Sequence, residues 1–150
     1  MKLLFKSMLI VLLFLVAVTH SYAQNTNTKP YLFAALPTTI AIDNSILSNA
    51  INYSINELVT LQLSPTFRFT GIVISNQQKY HNLQTVMIRA EDNNKTIFQI
   101  SKITNNDLTV SYVGRIINSD VADGFVVKNI NGDYALQKFE TNNILEPCNL

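Results

Sequence analysis

The chain has 150 residues, 47% of them hydrophobic and 14% charged, with a formal net charge of +1. That length suits one domain, and the near-neutral charge leaves no electrostatic footprint for nucleic acid or for an anionic membrane surface. The single cysteine, Cys148, excludes an internal disulfide, so the core must hold by packing.

Residues 1–23 have the layout of a secretory signal peptide. Lys2 and Lys6 place positive charge at the start, Met8 to Val18 is an unbroken apolar run, and Ser21 and Ala23 put small residues at the −3 and −1 positions before Gln24. A bilayer span needs about 20 apolar residues, so this run is too short, and no stable membrane span is expected after cleavage at Ala23/Gln24. No cysteine follows the run, which argues against a lipid anchor. The expected location is secreted or periplasmic. Nine basic and ten acidic residues then remain, a formal charge of −1. The Asn, Ile and Lys bias points to a bacterial source by composition alone.

Residues 24–29 read as a flexible leader and 30–141 as one β-rich domain, with 142–150 as a C-terminal tail. Pro30 to Leu36 reads as a short strand or as an apolar plug against the core, ended by Pro37. Asp43, Asn44 and Ser45 offer N-caps to a short amphipathic helix over 43–53, with Ile46, Leu47, Ala50 and Ile51 on one face. Alternation of apolar and polar residues predicts a hairpin of strands 57–63 and 66–75 around Ser64-Pro65. Strands 83–90, 96–103 and 108–117 follow, separated by turns rich in Asn and Asp. Segments 125–129 and 133–140 flank Asn131-Gly132, the strongest short hairpin signal. Short connections make neighbours antiparallel. The fold class is therefore mainly β: a curled antiparallel meander of about seven strands, a partial barrel or two-layer sandwich, with one short N-terminal helix. A glycine inside a strand marks a bulge, a sharp bend or close backbone approach, and at Gly71 and Gly114 a bend is expected because a curled meander needs such bends. Leu61, Phe69, Ile100 and Val113 are expected in the core.

The chemistry available is sparse. His81 is the one histidine after the signal, and no serine lies in a Gly-x-Ser-x-Gly turn. One His and one Cys fall short of a zinc site. There is no P-loop and no Gly-x-Gly-x-x-Gly, so neither cofactor nor metal is expected. Asp120 and Asp123 share one loop and offer either oxygens for a cation or an enzymatic carboxylate pair. Tyr31, Tyr80, Tyr112 and Tyr134 offer groove-lining rings with a polar tip. Cys148 offers a thiol for intermolecular pairing or for capping the zinc of a protease. By subtraction the expectation is a non-catalytic binding module for a protein, peptide or glycan, with Tyr80, His81, Tyr112, Asp120, Asp123 and Cys148 as candidate interaction residues. The alternatives are a protease-pairing inhibitor or propeptide-like module using Cys148, and an enzyme using Asp120 and Asp123.

Overall fold

The computed structural model describes residues 29–141. The segment expected as a signal peptide, the expected leader up to Thr28 and the expected tail with Cys148 lie outside the described residues. The fold is one eight-stranded antiparallel sheet curled into a half-barrel, with one short helix. In chain order the elements are β1 (Thr39–Ile42), α1 (Asn44–Ala50), β2 (Leu58–Ser64), β3 (Phe67–Tyr80), β4 (Leu83–Ala90), β5 (Thr96–Thr104), β6 (Val110–Asn118), β7 (Asp123–Ile130) and β8 (Asp133–Glu140). Strands β2 to β8 form a meander, and β1 pairs beyond β8, from Thr39 opposite Gln137 to Ile42 opposite Tyr134. The sheet therefore belongs to the partial-barrel branch of the expected class, with one strand more.

The extra strand is β1. Its four residues are too few to show a period. Ile40 and Ile42 face inward because β8 supplies the backbone partners. The segment before it, 30–36, is the apolar plug of the two alternatives, with Phe33 buried. Strand β3 runs five residues past the expected end. Asn76-Gln77-Gln78 carries no apolar alternation and is held extended by β4, with register shifts at Val73/Ser75 and Gln78/Tyr80.

Alternation works through one inward face. Leu61, Phe69 and Ile100 are buried there. Val113 corrects the expectation: it is 47% exposed. Tyr112, Gly114 and Ile116 take the inward parity on β6, and Val113 stands outward beside Ser101. Val110-Ser-Tyr-Val-Gly-Arg-Ile-Ile117 is apolar on both parities, so the period alone does not choose a face. Beyond the expected bends, the backbone is closely approached at both glycines: a Cβ at Gly71 would stand 2.4 Å from the Arg89 carbonyl oxygen, and one at Gly114 2.5 Å from that of Gln99.

Both ends of the half-barrel are stoppered. At the end carrying the β3–β4, β5–β6 and β7–β8 turns, α1 is capped by Asp43, whose carboxylate accepts the Ser45 N–H at 2.7 Å. It buries Leu47 and Ala50 in the core. Inward Asn76 donates to the carbonyls of Ile51 and Tyr53 at 3.0 and 2.8 Å, and Gln84 donates to Ile51 at 3.1 Å. These bonds satisfy the carbonyls of the C-cap residue Ile51 and of Tyr53 in the segment after the helix. Residues 29–38 stopper the other end.

Candidate functional site

Residues 29–38 form a strap across the second end, built on two charged side chains. Asp123, the first residue of β7, is fully buried. Its two carboxylate oxygens accept the backbone N–H groups of Leu32 at 2.8 Å and Phe33 at 2.9 Å. Lys138 on β8 donates through Nζ to the carbonyls of Phe33 and Leu36, both at 2.6 Å. Charge-assisted bonds of this kind are about twice as strong as neutral ones. The Lys138 ammonium also stands 5.8 Å from the centre of the Phe125 ring. Between these clamps the Phe33 ring meets Phe125 edge-on, with centroids 5.3 Å apart, and Phe67 at 6.1 Å. Outer ties finish the strap. Ala122 N–H donates to Pro30 at 2.9 Å, Lys29 Nζ to Ser119 at 2.8 Å, and the Tyr31 hydroxyl to Glu140 at 3.2 Å. The charge of Glu140 beside it pushes the Tyr31 pKa up.

The strap is clamped over β7 and β8 and leaves the β3–β5 side incompletely covered. A cleft of about 440 Å³ opens there. Leu32, Phe33 and Leu36 of the strap form one wall, and Phe67 and Phe69 with Ala90 form the other. Glu91, Asp92 and Asn93 of the β4–β5 turn, with Thr70, Thr96 and Arg68, form the polar rim. Ligand pockets of this size are usually apolar with a few convergent polar groups.

The structure separates the residues singled out from the sequence. Tyr80 closes β3, is 69% exposed, and stands with His81 at the β3–β4 turn. Tyr112 lies toward that same end and is half-buried. Its ring meets Tyr134 edge-on at 5.7 Å, and its N–H donates to the Tyr134 hydroxyl at 2.9 Å. Burial pushes the Tyr112 pKa up. Tyr134 is itself buried, so the four tyrosines do not line one groove.

Asp120 and Asp123 lie at the strap end with separate duties. Asp120 is exposed and pairs with Lys95. That contact, with the Ser119 hydroxyl, holds its carboxyl below the ordinary value. Asp123 is occupied by the strap, and neither carboxylate lines the cleft. Among the described residues no three His, Cys, Asp or Glu side chains gather as metal ligands. No helix of the described residues is long and apolar enough to cross a membrane.

Sequence reasoning missed the clamp function of Asp123 and Lys138 and the cleft itself. A signal was present for one of them: Asp123 interrupts the apolar stretch Val121-Ala-Asp-Gly-Phe-Val-Val127, where a carboxylate needs partners. No family model, no curated protein and no solved structure matches the chain.

Proposed function

We propose that this protein is an exported, non-catalytic binding module that receives a compact apolar group, an aromatic or branched aliphatic one, in the cleft beneath the strap. One observation carries the reading: the cleft of about 440 Å³ is walled by Phe33, Phe67 and Phe69. Such rings offer large area at low entropic cost. The rim at Asn93 and Glu91 supplies hydrogen-bonding groups that orient what enters. Export is supported by the charged start, the apolar run and the Ser21-x-Ala23 pattern.

The test is an amide NMR titration of the chain starting at Gln24, with indole and with N-acetyl-phenylalanine amide as probes. Shifts confined to Leu32, Phe69, Ala90 and Asn93 are expected. They should vanish in Ala90→Leu, which fills the cleft. Shifts scattered over the surface, or none with either probe at millimolar concentration, would overturn the reading.

A further inference from the structure

The charges of this near-neutral chain are segregated by structural element. Strands β1 to β6 contain no carboxylate. In β7 and β8, Asp123 is buried in the strap clamp, Glu140 holds Tyr31, and Asp133 flanks the turn. The other described acidic residues sit in caps and turns. All three arginines, in contrast, stand on the outer, convex face: Arg68 on β3, Arg89 on β4 and Arg115 on β6. All three are exposed, and among the described residues none is ion-paired. Two of them lean on glutamines, Arg68 on Gln62 at 3.1 Å and Arg115 on Gln99 at 3.5 Å.

Apolar side chains run between them in register. Leu58 stands opposite Ile72, Ile72 opposite Arg89, Arg89 opposite Ile97, and Ile97 opposite Ile117. Leu58 is 60% and Ile72 36% exposed, and Ile97 and Ile117 are half-buried. The opposite parity of the same strands supplies the core, so this row has no partner within the described fold.

We propose that the convex face is the docking surface for an acidic protein with a concave contact face. Interfaces are enriched in Arg and Met and depleted in Lys. Here Arg115 and Met87 each flank Gln99 in one cross-strand row. The guanidinium fork fits carboxylates two at a time. A lipid surface is the poorer match. The chain has no Trp, and the face has no lysine cluster. A second copy of the same face would set arginines against arginines. A face free of carboxylates also attracts an acidic partner at long range, in a salt-dependent way.

The test places a photo-crosslinking amino acid at Ile97, and as a control at Asn131, in the full chain expressed by its own cells. A single adduct is expected from Ile97 only, with mass spectrometry identifying a partner whose contact face is rich in Asp and Glu. Its yield should fall at least tenfold in Arg89→Glu/Arg115→Glu. It should also fall several-fold when salt rises tenfold in a cell-free extract. Unchanged melting temperatures will show that the variants fold. Absence of an adduct, an adduct indifferent to charge reversal, or an adduct with a second copy would overturn the proposal. So would retention of the purified chain by phosphatidylglycerol vesicles that Arg89→Glu abolishes, because the face would then serve a lipid.

Discussion

The backbone N–H of Phe33 donates to Asp123 over 2.9 Å, across 90 residues of sequence. The same carboxylate holds Leu32, so one side chain fixes the strap while Phe33 enters the aromatic cluster. Truncating Asp123 to Ala leaves two backbone donors without an acceptor, and leaving buried donors unmade is costly. Asp123→Ala should lower stability by roughly 3 kcal/mol in denaturant melts. It should also speed proteolytic nicking within 29–38. Asp120→Ala, which loses an exposed ion pair and an exposed hydrogen bond from Ser119, should leave both nearly unchanged.

Ile100 and Val113 differ by parity. Ile100 is fully buried and Val113 is 47% exposed. Ile100→Ala should cost about 2–5 kcal/mol. Val113→Ala should stay within about 0.5 kcal/mol, as surface changes do. Urea midpoints of the two variants measure this, and equal losses would place Val113 in the core.

The β7–β8 turn has positive φ at both central residues, 56° at Asn131 and 99° at Gly132. Nothing crowds a Cβ at Gly132, so the cost of a side chain there is conformational. Gly132→Val should lose about 1–2 kcal/mol. Asn131→Gly should be neutral within about 0.5 kcal/mol. Thermal melts of the pair separate backbone strain from lost contact.

Three exposed aspartates have carboxyls held below the ordinary 3.8: Asp43 by Ser45, Asp107 by Thr109 and Asp120 by Lys95. A carboxyl lowered in the folded state contributes stability above its unfolded value, and that contribution fades as pH falls through the folded value. The melting temperature should therefore drop as pH goes below 3.8. Asp43→Ala should start lower at neutral pH, having lost its helix cap, and fall less steeply in acid. A parallel acid limb would show that Asp43 contributes nothing to it.

Ser21 and Ala23 precede Gln24 at the end of the apolar run. Intact mass of the protein recovered outside the cytoplasm should correspond to a chain starting at Gln24. A mass that retains 1–23 would contradict export by cleavage.

The sheet was legible because period-2 patterning and turn chemistry are local properties. Asn131-Gly132 announced its turn, and Leu61, Phe69 and Ile100 announced their face. What escaped depends on partners distant in sequence. Strand β1 exists through β8, and the cleft exists because the strap covers one side only. The polar end of β3 escaped for a nearer reason: it carries no alternation and is held extended by its hairpin neighbour β4. At Val113 the pattern itself was degenerate. Asp120 and Asp123, three positions apart, looked alike as letters. The fold gives one to solvent and the other to the strap.

The pairing of β1 with β8 sets the order in which this protein can become itself. Thr39 meets Gln137 only after nearly the whole domain has been synthesised, and the strap waits for Asp123 and Lys138 in the same way. Non-local pairings of this kind raise contact order and slow folding. The first strand and the strap thus stay without partners until the last two strands have been made.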